Sequence, residues 1–235
     1  TGFIEKVIIV TPEPLHDRRP VYQLFKAQSI FSQTTLSHIM SEIHTPYFLF
    51  MPVPKQIEIT SYNLEKLLSV MASPDVGVVY SDFVVKYDRS EFIYYLNDYQ
   101  LGSVRENFNF GPIFLFSTSL VHMAIEKYAM VKDTEHAGVY DLRLKLSIDH
   151  SIYHHREALY SVYESAGQPY MGNHFGYLNP DNRKIQREME TVFTDYLKKI
   201  HAYLPSNILR MAEPTTRSFP VFASIIIPVK NRQDT

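Results

Sequence analysis

The sequence predicts an α/β fold with a mostly parallel sheet flanked by helices. Short apolar runs closed by Pro or polar residues recur along the chain, as buried strands do. They are Lys6–Val10, Pro46–Met51, Val76–Asp82 and Pro112–Phe116. Between them lie segments with apolar residues at helical spacing, and strands alternating with helices imply this class. At 235 residues the chain is long enough for one sizeable core.

The elements follow in order. "KVIIV" (Lys6–Val10) is a short apolar strand closed by Pro12 and Pro14. "TLSHIMSEI" (Thr35–Ile43) has apolar residues at 36, 39, 40 and 43, a helical face. "PYFLFM" (Pro46–Met51) reads as a buried strand, and "SYNLEKLLSVMAS" (Ser61–Ser73) as a helix facing inward with Leu64, Leu67, Leu68 and Met71. "VGVVYSD" (Val76–Asp82) is a strand that delivers an acid at its carboxyl end. Residues 83–112 read as loops with one short hairpin. "PIFLF" (Pro112–Phe116) is a strand and "TSLVHMAIEKY" (Thr118–Tyr128) a helix. "YDLRLKLSI" (Tyr140–Ile148) alternates like a strand, but Leu and Lys favour a helix, which is the reading taken. "EALYSVY" (Glu157–Tyr163) suits a strand, and 167–176 a loop. The last helix starts at the cap Asn179 and Pro180. Its apolar face is Ile185, Met189, Phe193, Tyr196, Leu197 and Ile200, and Pro205 closes it. Residues 205–220 read as a linker, and "ASIIIPV" (Ala223–Val229) as a strand.

Composition narrows the function classes. Apolar residues make up 45% and charged residues 20%, as in an ordinary globular protein. A net charge of −2 gives no electrostatic case for nucleic acid or anionic membrane as partner. The chain has no Cys, so disulfides, thiolate nucleophiles and Cys-based zinc sites are excluded. No apolar run approaches a membrane span, and no leader follows Thr1; the expected compartment is cytoplasmic. Walker, Rossmann and G-x-S-x-G motifs are absent. His150, His154 and His155 cluster, but His154 and His155 are adjacent and in a strand face opposite ways, so they are not read as sharing a metal.

In α/β sheets ligands bind outside the carboxyl ends of the strands. That gathers Thr11–His16, Met51–Lys55, Ser81–Asp82 and Val229–Arg232 near one edge. Several segments, in this order, resemble the family 2 glycosyltransferases: "KVIIVTPE", "TPYFLFMPVPKQI", "GVVYSDF", "FGPIFLFSTSLV", "YDLRLKLS" and "HHREALYSVY". The likeness runs from about Lys6 to Tyr163. "NPDNRKIQREME" resembles a helix of bacterial tandem-domain members of that family whose first domain is truncated. The resemblance implies a GT-A fold and transfer of a sugar, with inversion, from a nucleotide-diphospho-sugar to a glycan acceptor. It also implies a divalent cation, Mn or Mg, on the donor diphosphate.

On this resemblance Asp141 aligns with the catalytic base, which would take the proton of the acceptor hydroxyl. Asp82 aligns with an acid that supports the donor, and Thr11, Glu13, Asn231 and Arg232 fall beside the nucleotide. The bland alternatives for Asp141 are a solvated helix acid or a partner for Arg143 or Arg156, and for Asp82 a strand-end cap. One departure is sharp. Where the family has a metal-binding Asp-x-Asp, this chain has Met51-Pro52-Val53-Pro54, none of which offers a side-chain oxygen to a hard cation. No metal ligand is therefore assigned. A second reading follows: a catalytically degenerate GT-A domain that binds glycan or positions a downstream transferase domain. A third is an unrelated α/β domain.

The family's first strand has no counterpart before Lys6. "ASIIIPVKNR" near the carboxyl end resembles that strand. The expected organisation is a GT-A-like domain at 1–204, a linker at 205–220 and a strand region at 221–235. The last opens a second transferase domain or fills the vacant place in the first sheet, within one chain or in a strand-swapped dimer.

Overall fold

The computed structural model describes residues 4–13, 22–164 and 183–205. The chain divides into two compact units, Thr1–Tyr203 and Leu204–Thr235. The expected linker, the strand at 223–229, Asn231 and Arg232 lie outside the described residues, as do the 167–176 loop and the cap at Asn179.

In the first unit, β1 (Val7–Thr11) and β2 (Tyr22–Lys26) pair in parallel as a two-stranded sheet. The second sheet holds β3 (Tyr47–Phe50), β4 (Gln56–Ile59), β5 (Val76–Tyr87), β6 (Ser90–Tyr94), β7 (Phe114–Ser117) and β8 (Ser151–Tyr163). Its order is β3-β7-β5-β8-β4, with β6 also on β5. The helices are α1 (Gln33–Glu42), α2 (Ser61–Met71), α3 (Thr118–Tyr128), α4 (Gly138–Asp149) and α5 (Arg183–Lys199).

The α/β class is present, but the larger sheet is mixed rather than mostly parallel. Among the described residues only β5 and β8 run parallel in it; the β3–β7, β7–β5, β8–β4 and β5–β6 pairs are antiparallel. The expectation failed because an apolar run reports burial on both faces, not direction. Helices cover both faces at the middle of the sheet, so β7, though antiparallel to both neighbours, also reads as a continuous apolar run.

Strand alternation separates the two faces. Val78, Tyr80 and Phe116 pack with Leu36, Ile39 and Met40 of α1, Val121 of α3, and Leu142 and Leu146 of α4. Val79, Leu115 and Leu159 pack with Leu67 and Met71 of α2 on the other face. A third cluster joins α4 to α5 through Ala137, Tyr140, Leu144, Val192 and Tyr196. The face read for α5 packs there, with Met189, Phe193, Leu197 and Ile200 against this cluster. β3 lies at the end of the sheet order, and Leu49 is 41% exposed, so this run is less buried than its composition suggests.

Local chemistry sets the helix starts. Ser32 caps α1 by accepting the Thr35 N–H, and Thr60 caps α2 by accepting the Asn63 N–H at 3.1 Å. The Gly138 N–H donates to the Phe31 carbonyl at 2.8 Å, and a Cβ at 138 would stand 2.7 Å from that oxygen. Glycine therefore allows α4 to start against the chain leading into α1. Two strands, β2 and β4, were not read from the sequence. Gln56–Ile59 alternates exposed and half-buried positions over only four residues, too short a period to stand out. The hairpin expected within 83–112 is β5–β6, closed at Asp88 and Arg89.

Candidate functional site

β5 delivers Asp82 at a break in its pairing with β8. Ser81 lies opposite His155 and Asp82 opposite Ala158, so Arg156 and Glu157 are extra residues on β8. Such bulges re-aim side chains and recur beside functional sites. Asp82 is buried, and its Oδ1 accepts the Leu96 N–H at 2.8 Å. His154 Nε2 lies 2.8 Å from the same oxygen, and His154 Nδ1 lies 2.8 Å from Asp98 Oδ1. The imidazole stacks on Tyr80, with ring centroids 4.8 Å apart and planes 8° apart. Tyr80 Oη donates to the Asn97 carbonyl at 2.6 Å. Arg156 pairs with Asp98. Hydrogen bonds from Arg156 and then His154 hold the Asp98 carboxyl down at about 2. The irregular segment after β6 is thus pinned at Leu96, Asn97 and Asp98 to one bulged strand pair.

Asp141 lies in the first turn of α4 and is 1% exposed. Both of its oxygens are engaged. Lys145, one turn later, donates to Oδ1, and the Val131 N–H donates to Oδ2 at 2.7 Å. Lys145 is equally buried and also reaches Asp195 of α5 at 3.1 Å. Burial raises the Asp141 carboxyl above its usual range, against the opposing pull of Lys145 and the Val131 N–H. Burial also pushes Asp195 up, but hydrogen bonds from Lys199 and Lys145 outweigh it and leave Asp195 lowered. Asp141 pairs with neither Arg143 nor Arg156. Arg143 instead donates to the Ser103 and Arg105 carbonyls and lies over the rings of Tyr140, Phe110 and Tyr99.

Thr11 and Glu13 close β1 in a local turn. Thr11 Oγ1 donates to the Glu13 carbonyl at 2.9 Å and accepts the Glu13 N–H at 3.2 Å. They stand on the two-stranded sheet, whereas Asp82 and Asp141 stand on the larger sheet and on α4. The β3–β4 loop, Met51–Lys55, carries a cation at its end, Lys55. It is neutralised by Glu164, 4% exposed, at 2.7 Å.

Sequence reasoning missed His154 as the partner of Asp82. The two are 72 residues apart and no local signal links them. It also missed Lys145 as the partner of Asp141, although a spacing of four on a helix places them on one face. A cleft of about 500 Å³ opens between Val104–Glu106, Tyr140 and α5, floored by Met189 and Phe193. Among the described residues no helix is long and apolar enough to cross a membrane. No family model and no curated protein matches the chain.

Proposed function

We propose that the chain is a family 2 glycosyltransferase-like domain of the GT-A type that has lost the catalytic apparatus. It serves as a glycan-binding or scaffolding module for a transferase domain downstream, in the cytoplasm. One observation carries the loss of catalysis: Asp141, where the resemblance puts the base, is buried with both oxygens already bonded. A general base must lie within hydrogen-bond reach of the acceptor hydroxyl, and a carboxylate 1% exposed is closed to one. The Met51-Pro52-Val53-Pro54 run supports the same reading, because it cannot hold Mn or Mg on a diphosphate. Asp82 is committed to His154 and to the Leu96 N–H, which favours a role in holding the fold over one in holding a donor.

The alternative is an active inverting transferase in which Asp141 is the base and Asp82, with Thr11, Glu13, Asn231 and Arg232, supports the nucleotide-sugar. Calorimetric titration with uridine and guanosine diphospho-sugars, with and without manganese, separates the two. The degenerate domain binds none of them. Manganese-dependent micromolar binding, lost in Asp82→Asn, would establish the active reading instead.

A further inference from the structure

Glu135 and His136 lie just before α4, and Glu188 lies early in α5. One donor atom from each falls within 4.8 Å of the other two. Glu188 is already fixed in place: its Oε2 accepts the backbone N–H groups of Glu135 at 2.9 Å and His136 at 2.8 Å. Its Oε1 is buried and has no hydrogen-bond partner among the described residues. A buried carboxylate oxygen left without a partner is costly, and a cation satisfies it. Lys184 pairs with Glu135 Oε2 at 2.6 Å, so an ion bound there takes the place of its ammonium.

We propose that Glu135, His136 and Glu188 bind a divalent cation, with zinc the ion that their donors suit. One imidazole and two carboxylates with water in the fourth position form an ordinary zinc donor set. In a tetrahedral zinc site the ligand atoms stand roughly 3.4 Å apart. His136 Nε2 and Glu135 Oε2 are 4.0 Å apart, so a small closure brings them to that spacing. Both of these side chains are exposed enough to move, at 39% and 62%, while Glu188 is anchored. The ion would tie α5 to the start of α4. The site is separate from Asp82 and Asp141 and stands or falls independently of the reading above.

The test is calorimetric titration of the chain with zinc chloride, with thermal unfolding recorded in the presence and absence of zinc. The chain has 10 His, so the variants decide rather than binding alone. One zinc ion should bind and raise the melting temperature. His136→Ala should weaken binding about tenfold or more and abolish the rise. Glu135→Gln should do the same, which keeps the test valid if His136→Ala fails to fold. Lys184→Ala should tighten binding, since it removes the competing ammonium. Absence of stoichiometric binding, or binding unchanged in both His136→Ala and Glu135→Gln, would overturn the proposal.

Discussion

The buried ammonium of Lys145 lies 3.1 Å from the carboxylate of Asp195 and ties α4 to α5 through the interior. The same ammonium neutralises Asp141, so a single cation serves acids on two helices. Lys145→Met removes it and leaves Asp141 buried without a counter-charge. The expected loss is about 3–5 kcal/mol of stability, read by urea unfolding. Adding Asp141→Asn, which still accepts the Val131 N–H, should recover part of that loss. A double variant no more stable than Lys145→Met would show that the pair is not the cause.

Two glycines with positive φ make a contrast. Gly111 has φ +78° and Gly102 has φ +99°. A Cβ at 111 would collide with Tyr160 Oη, while a Cβ at 102 meets nothing within 4 Å. Gly102→Ala should cost about 1–2 kcal/mol from backbone strain alone. Gly111→Ala should cost more, because Tyr160 must also shift. Equal losses in the two variants would rule out the steric contribution.

Asp98 should contribute a pH dependence to stability. Its carboxyl is depressed from 3.8 to about 2 in the folded state, so between these values the unfolded chain binds more protons. Stability from this group is therefore complete above about pH 4 and disappears as pH falls toward 2. Asp98→Asn should flatten the difference in stability across that window, measured by denaturant unfolding at stepped pH. A variant with the same slope as the parent would place the acid sensitivity elsewhere.

Arg143 is buried, with its guanidinium carbon 5.0 Å from the Tyr140 ring and 5.6 Å from that of Phe110. Burial lowers its pKa. Arg143→Lys keeps the charge but loses the planar fork that reaches two carbonyls and stacks on the rings. The expected cost is about 2 kcal/mol, together with faster proteolysis within 99–110. An unaffected variant would mean that charge alone suffices.

Local pattern carried much of the fold. The spacing over Thr118–Tyr128 predicts a helix, and α3 spans those residues. The Thr35–Ile43 and Ser61–Ser73 helices overlap α1 and α2 closely. Tyr140–Ile148 was ambiguous for a physical reason. As α4 it is buried continuously from Tyr140 to Leu146, including Asp141, Arg143 and Lys145, so no polar face shows its period. β5 and β8 extend beyond the predicted Val76–Asp82 and Glu157–Tyr163, because the two strands pair with each other from Val76 to Lys86 and β5 past Asp82 also pairs with β6.

The sequence by itself determined the α/β class and the main helical faces. Both depend on residue type and on spacing within one element. Only the tertiary structure decided strand direction in the larger sheet, the His154 bridge between Asp82 and Asp98, the double engagement of Asp141 and the meeting of Glu188 with Glu135 and His136. Apart from the Asp141–Lys145 contact within α4, each of these joins residues on different elements, where no period along the chain links them. What an ionisable side chain can do is set by its neighbours in space, through burial and charge.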